Sequence, residues 1–241
     1  MLRNISLSLE EPGLYCIVGP NGAGKSTLIK CFNRLIRPSS GKVMLDGRDV
    51  SGMSFREISE IVAYVPVSTN DLFSMPVVSA VLMGRRKGGR WRTSGEDLAK
   101  ASKALKIMGI EDLADRRFNE LSAGQHQKVA IARGLVQEPD ILIMDEPTAN
   151  LDVKHQVYVA EFLRAVSVAE GMIVVMVCHD LNIASKYAHR LIVMDDGGIV
   201  GTGTPEEVMT ADFISSLYGV ECRIVDDSGR PHIILGSPLE L

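Results

Sequence analysis

The fold of this 241-residue chain is decided by residues 19–27, which read Gly19-Pro20-Asn21-Gly22-Ala23-Gly24-Lys25-Ser26-Thr27. The apolar run Leu14 to Val18 precedes this stretch, and apolar residues at helical spacing follow it from Leu28 to Phe32. A strand, a glycine-rich turn and a helix in that order bring backbone N–H groups around an anion. The positive end of the helix dipole strengthens the attraction. We therefore predict that residues 19–27 are a phosphate-binding loop.

Two side chains at the end of this loop supply the chemistry that polyphosphate binding needs. Lys25 is long enough to reach outer phosphates, and the hydroxyl of Ser26 is a suitable Mg²⁺ ligand. The competing interpretation is a glycine-rich turn that binds nothing, and the flanking strand and helix disfavour it.

Composition limits the class of protein. Apolar residues make up 46% of the chain and charged residues 23%, which is typical of a globular protein with a substantial core. The net charge of -4 gives no general electrostatic reason to expect nucleic-acid binding. The basic run from Arg85 to Arg92 is an exception, and we favour a solvated loop over a surface for acidic groups.

Location is predicted from the cysteines and the hydropathy. The four cysteines show no metal-ligand spacing, which favours a reducing compartment over a disulfide framework. The longest apolar run, Met172 to Cys178, is too short to span a bilayer. Residues 1–10 alternate apolar and polar side chains, which predicts a strand and not a signal peptide. We expect a cytosolic chain, or one docked on the cytosolic side of a larger assembly.

The pattern of segments predicts an α/β core that is interrupted once. Residues 70–136 contain helical and loop patterns without a strong strand, which indicates a helical insertion. Strand patterns resume at Ile141, and a short β-ribbon is predicted around Asp227 near the end of the chain. We expect a single domain, with a core at residues 1–69 and 137–220, a helical subdomain at about 70–136 and a ribbon at about 221–241.

Three further residues are candidates for phosphoryl-transfer chemistry. Asp145 and Glu146 follow the apolar run Ile141 to Met144, so a buried parallel strand would deliver both carboxylates at its end. Asp145 suits Mg²⁺ binding, and Glu146 suits accepting a proton from attacking water. His179 ends the next strand pattern at the same sheet edge, where its imidazole can hydrogen-bond a phosphate oxygen.

Five motifs in a fixed order resemble those of the ATP-binding subunits of ABC transporters. They are residues 19–27 (Walker A), Leu121-Ser122-Ala123-Gly124-Gln125 (signature), residues 141–146 (Walker B), Ala149-Asn150-Leu151-Asp152 (D-loop) and His179 (switch histidine). The resemblance covers nearly the whole chain. It implies a P-loop NTPase (RecA-like) fold, with a mostly parallel sheet, an inserted helical subdomain and a small antiparallel part.

The resemblance also implies a mode of action. Two copies would face each other head to tail, with ATP between the Walker A of one and the signature of the other. Ser122, Gly124, Gln125 and Asp152 would then act across the dimer, while Lys25, Glu146 and His179 act within one subunit. Ser26 and Asp145 would hold Mg²⁺, partly through water. Hydrolysis would drive transmembrane permease subunits, served indirectly by a substrate-binding protein, from the inner face of the membrane.

Several segments narrow the resemblance to importers of metal chelates such as ferric siderophores, haem and cobalamin. They are Val81-Leu82-Met83-Gly84-Arg85, Leu151-Asp152 with His155-Gln156, and Tyr218-Gly219-Val220 followed by Gly229-Arg230-Pro231-His232. For His155 an exposed helix residue, and for the tail a plain surface ribbon, are the simpler interpretations.

Two departures from the family pattern leave alternatives open. Val67 stands where the family usually has a glutamine that ligates Mg²⁺, with Ser68, Thr69 and Asn70 as substitutes only if the loop shifts. The resemblance also implies another strand and an adenine-stacking aromatic upstream of Gly19, and Tyr15 is a poor candidate for the latter. These departures favour a degenerate subunit that binds ATP without hydrolysing it. An ABC-type ATPase of cytosolic assembly or repair, without a membrane partner, is a second alternative.

Overall fold

The computed structural model describes residues 2–67, 74–85, 93–149 and 151–239. The strands in this part of the chain are β1 (Gly13–Val18), β2 (Met44–Leu45), β3 (Arg48–Asp49), β4 (Val62–Val65), β5 (Ile141–Met144), β6 (Ile173–Val177), β7 (Arg190–Asp195), β8 (Gly198–Gly203), β9 (Val220–Asp227) and β10 (Arg230–Pro238). The helices are α1 (Lys25–Phe32), α2 (Phe55–Ile61), α3 (Val77–Leu82), α4 (Gly95–Ile107), α5 (Ala123–Leu135), α6 (Val153–Ala169), α7 (Leu181–Tyr187), α8 (Pro205–Val208) and α9 (Ala211–Tyr218).

A six-stranded sheet in the order β4-β5-β6-β1-β7-β8 forms the centre of the molecule. The first five strands run parallel, and β8 adds to the edge in the antiparallel direction. All six residues of β1 are buried, as expected for a parallel strand covered on both faces. The predicted α/β fold with a mostly parallel sheet is confirmed. Parallel pairing brings the carboxyl ends of β1, β5 and β6 to one edge, where ligands of such sheets bind.

Helices α3, α4 and α5 lie between β4 and β5 in the chain and pack on one another, so the predicted helical insertion is confirmed. Helix α5 also packs on the sheet because Gly134 lacks a side chain. A Cβ there would lie 3.0 Å from Leu142 Cδ1 and 3.2 Å from Val65 Cγ2. The close approach fixes the helix against β5, which Asp145 directly follows. Residues 68–73, including the candidate substitutes Ser68, Thr69 and Asn70, and the basic residues 86–92 lie outside the described part of the chain.

The strand predicted over residues 1–10 is wrong for the described residues 2–10, which carry no strand assignment. The side-chain alternation itself is present, because Leu2, Ile5, Leu7 and Leu9 pack on the core and the residues between them are mostly exposed. A strand also needs a row of backbone partners. Here the only such bond found in the described chain is from Arg3 N–H to the Gly197 carbonyl, at 2.8 Å.

The predicted ribbon is confirmed, and its two strands span residues 220–238. Strands β9 and β10 pair in antiparallel fashion around a turn at residues 228 and 229. The ribbon packs against α7 and α9, and Ile233 on β10 is fully enclosed in the main core. Within the described ranges, no helix has the length and apolar character that crossing a bilayer requires.

Candidate nucleotide-binding site

The loop between β1 and α1 is shaped by glycines that no other residue can replace without strain. Gly19 has a φ of 144°, and an added Cβ would lie 2.0 Å from the Met194 carbonyl oxygen. Gly24 caps α1 in the left-handed region with a φ of 97°. Its carbonyl accepts the first helical bond, from Leu28 N–H at 2.9 Å. The loop therefore wraps tightly over the sheet edge and turns directly into the helix.

The other residues predicted in this loop occupy positions that fit a phosphate cradle. Asn21 and Gly22 are exposed at the tip, and Ala23 is buried beneath it with its N–H bonded to the Pro20 carbonyl at 3.3 Å. Thr27 is half-buried in the first turn of α1. The free N–H groups of the first turn of a helix are good donors to an anion.

Lys25 ends the loop as the first residue of α1, and only 5% of it is exposed. Its Nζ donates to the carbonyl oxygens of Gly19 at 2.7 Å and Pro20 at 2.8 Å. Burial lowers the pKa of this ammonium, and the nearby charge of Glu146 opposes that change. Since a buried ammonium bonded to neutral carbonyls lacks a directly bonded counter-charge, an anion in the cradle would stabilise it.

Asp145, at the end of β5, is joined to the loop through Ser26. The Ser26 hydroxyl donates to Asp145 Oδ1 at 2.9 Å, and the Tyr64 hydroxyl donates to Oδ2 at 3.4 Å. Burial first, and then the charge of Asp145, raise the pKa of Tyr64 to about 12. Asp145 is 2% exposed and has no salt bridge within the described residues. A buried carboxylate beside a hydroxyl is the type of oxygen donor set that Mg²⁺ prefers, so these residues fit the metal.

Glu146 and His179 face each other beside this pair. His179 Nε2 lies 2.6 Å from Glu146 Oε1, and the backbone of Glu146 is in the left-handed region with a φ of 50°. A non-glycine residue there is strained, which is common at functional positions. The prediction that His179 ends its strand is wrong by two residues, because β6 ends at Val177. His179 contacts the candidate base itself, a pairing that the sequence did not predict.

The residues predicted to act across a dimer form a separate surface at the start of α5. Ser122 Oγ accepts from Gln125 N–H at 3.3 Å, and Gln125 Oε1 accepts from Ser122 N–H at 2.9 Å. This reciprocal capping box fixes the entry to the helix. A Cβ on Gly124 would lie 3.2 Å from Cδ2 of His155, so the imidazole ring covers that glycine.

Asp152 caps the N-terminus of α6 beside this surface. Its Oδ1 accepts from His155 N–H at 2.9 Å and lies 2.7 Å from His155 Nδ1. These contacts, the backbone N–H first, lower the pKa of Asp152. Asn150 lies outside the described residues. No hydrogen bond or ion pair found within the described residues joins Ser122, Gly124, Gln125 or Asp152 to Lys25, Ser26, Asp145, Glu146 or His179.

Two residues of the site region were not predicted as site residues. They are Tyr64 on β4, whose hydroxyl donates to Asp145, and Gln156 on α6, whose amide donates to the carbonyls of Thr148 and Leu151. Position after a hydrophobic strand was the signal for Asp145, but a tyrosine within a strand carries no such signal. Tyr15 is buried and donates to the Glu11 carbonyl at 2.9 Å, so it has no ring face free for adenine.

A phosphate loop, a buried hydroxyl–carboxylate pair and a glutamate–histidine pair at one sheet edge define a nucleotide-hydrolysing enzyme of the P-loop class. The comparison with protein families narrows this class. The family model for the ABC transporter matches residues 2–149. The chain belongs to the ABC transporter family and is one of its ATP-binding, ATP-hydrolysing subunits.

Known ATP-binding subunits of ABC transporters are similar to this chain over most of its length. The Bacillus subtilis protein "Probable siderophore transport system ATP-binding protein YusV" is 35% identical over 99% of this chain and 86% of its own length. The "Ferric enterobactin transport ATP-binding protein FepC" of Escherichia coli is 36% identical over 96% of this chain and 87% of its own. A solved dimeric ATP-binding cassette, in a post-hydrolysis state with ADP and phosphate, superposes with a TM-score of 0.73 at 30% identity, covering 84% of this chain and 90% of that one.

Proposed function

We propose that this chain drives the import of a metal chelate, of the ferric siderophore type, through membrane permease subunits. The observation that supports an active motor is the arrangement around Lys25, where Ser26, Asp145, Glu146 and His179 meet at one sheet edge. The substrate class is supported by the two relatives named for siderophore and enterobactin transport. Together these favour a transport ATPase over the assembly, repair and non-hydrolysing alternatives.

Each residue of the cluster has a defined role in this proposal. Lys25 and the loop N–H groups hold the β- and γ-phosphates, and Ser26 and Asp145 hold Mg²⁺. The metal, when bound, neutralises charge that develops on the phosphate oxygens. Glu146 accepts the proton of the attacking water, and His179, 2.6 Å away, fixes the orientation of that carboxylate. Tyr64 holds Asp145 from the side opposite Ser26.

The second half of the site comes from another copy of the chain in this proposal. The exposed N-terminus of α5, with Ser122, Gly124 and Gln125, supplies donors to the γ-phosphate held by its partner, and Asp152 lies beside it. The solved relative is a dimer, which supports this arrangement. The division into a core, a helical subdomain at about 70–136 and a ribbon at about 221–241 belongs to the same proposal, with the dimer peripheral on the inner membrane face.

The assignment of the loop is tested with purified protein by measuring ATP affinity, and hydrolysis is tested by measuring phosphate release with ATP and magnesium. Lys25→Met should abolish nucleotide binding, because it removes the ammonium from the cradle. Lys30→Met changes a lysine on the same helix and serves as the matched control. Equal ATP affinity in all three proteins would contradict the assignment of the loop.

Substrate class is tested separately, in cells. Uptake of a radiolabelled ferric siderophore, of haem and of cobalamin is measured after deletion of the gene and after complementation with wild type or Glu146→Gln. We expect uptake of a ferric siderophore to be lost and to be restored only by wild type. Unchanged uptake of all three chelates in the deletion strain would contradict the transport proposal.

A further inference from the structure

The side-chain amide of Asn182 joins the C-terminal ribbon to helix α7. Asn182 Nδ2 donates to the Ile233 carbonyl at 3.1 Å, and Asn182 Oδ1 accepts from Ile233 N–H at 2.7 Å. The amide thus pairs with both backbone groups of a single residue of β10, as a neighbouring strand would. Ile233 is only 3% exposed, so neither backbone group has an easy replacement in water.

Further contacts along the same helix support this fastening. The buried Ser185 hydroxyl donates to the Pro231 carbonyl, and Lys186 Nζ lies 3.2 Å from Asp227 Oδ2 at the exposed rim. The ribbon is therefore packed against α7 and bonded to it along most of the length of that helix.

Helix α7 begins directly beyond the switch histidine. Asp180 caps it by accepting from Asn182 N–H at 2.8 Å and Ile183 N–H at 2.9 Å. The Cys178 thiol donates to the Asp180 carbonyl at 3.2 Å, so the segment that carries His179 is bonded on both sides. Because Asn182 lies in the first turn of α7, its bonds to the ribbon hold the end of the helix next to His179, which contacts Glu146.

We propose that the C-terminal ribbon is a positioning element for ATP hydrolysis, and that Asn182 is the positioning residue that acts through His179. The inference rests on the proposed role of the Glu146–His179 pair. A side chain that is misplaced by about 1 Å can slow an enzyme by about 100-fold, so a modest shift of α7 is enough to matter.

The test compares two substitutions on the same helix, measured as kcat and KM for ATP. Asn182→Ala removes both bonds to Ile233 and should lower kcat about tenfold, with nucleotide affinity changed by less than about twofold. Lys186→Ala removes only the exposed pair with Asp227 and should leave kcat unchanged, because exposed ion pairs contribute little. Hydrogen exchange at Ile233 shows whether the ribbon has been released. An unchanged kcat with a released ribbon would overturn the proposal.

A double-mutant cycle distinguishes positioning from a general loss of structure. In the His179→Ala background, single-turnover phosphate release should be the same with and without Asn182→Ala, because the residue through which it acts is gone. An equal fold-loss in both backgrounds would overturn the proposal. If Asn182→Ala does not fold, Asn182→Asp keeps the acceptor for Ile233 N–H, and it must still lower kcat or the proposal fails. Lack of ATP hydrolysis by wild type would instead contradict the proposed function.

Discussion

The two functional surfaces of this chain are built in opposite ways. At the end of β1, β5 and β6, the ammonium of Lys25 and the carboxylate of Asp145 are almost fully buried. At the start of α5, the capping residue Ser122 is exposed, and its side chain is bonded within its own turn. The first surface holds buried charges, and the second consists of exposed polar side chains with the exposed carboxylate of Asp152 beside them.

This difference indicates which surface is complete by itself. Electrostatic stabilisation is strongest where water is excluded, so the loop surface can bind a polyphosphate within one copy. The α5 surface has no buried charge of its own, and it becomes useful only when a partner brings an anion to it. We infer that the first surface determines binding and that the second determines whether bound ATP holds two copies together.

The largest effect is expected from Glu146→Gln at the buried surface. Removing the base should lower the hydrolysis rate by about 100-fold or more while ATP still binds, because the loop is untouched. Phosphate release and nucleotide affinity are measured side by side. Glu161→Gln, an exposed change on α6, is the matched control and should behave as wild type. A hydrolysis rate equal to that of wild type would exclude Glu146 as the base.

The next largest effect is expected from Ser122→Ala, with the matching capping box of α4 as the comparison. Ser94 caps α4 and Ser122 caps α5 with the same reciprocal bonds. Ser94→Ala and Ser122→Ala should each cost about 1 kcal/mol of unfolding free energy. Only Ser122→Ala should also lower ATPase activity, by about tenfold or more, because it removes a donor to the partner's phosphate. Equal ATPase activity in the two variants would contradict a role for the α5 surface.

A smaller effect is expected at Val67, which is 38% exposed just beyond β4. Val67→Gln would add an amide oxygen as a further Mg²⁺ ligand and should raise magnesium-dependent turnover a few-fold, on the order of 1 kcal/mol or less. Val67→Leu is the control. Robust wild-type turnover that the glutamine does not change would show that another residue already has this role.

The smallest effect concerns acid stability. Hydrogen bonds from the Ser94 backbone, then from its hydroxyl and from Arg85, lower the pKa of Asp97 from 3.8 to about 2. Because the folded-state value is the lower one, its stabilising contribution is full above pH 3.8 and is lost as the pH falls through 2. Gln125, the corresponding residue of the other box, does not titrate. Asp97→Asn should flatten the acid dependence of the unfolding temperature slightly, and Gln125→Asn should not. The opposite ranking would contradict this explanation.

The sequence predicted what depends on neighbours along the chain. Local patterns of glycine and apolar residues were enough to predict the loop at residues 19–27, the strand Val62–Val65 and the strand Ile141–Met144. It did not predict contacts between distant segments. The Tyr64–Asp145 bond and the Asn182 amide on Ile233 depend on which strands and helices become neighbours in space. Residues 2–10 show the same limit, because alternation predicts an extended backbone but cannot supply partners for its N–H groups.

The most direct test of the shared site is the molar mass of Glu146→Gln in solution with ATP and magnesium, measured by light scattering. We expect twice the 26.2 kDa of one chain, with ATP bound to each copy, and a return to the single mass when Gly124→Trp is added to block the α5 surface. A variant that binds ATP and stays at 26.2 kDa would contradict the account.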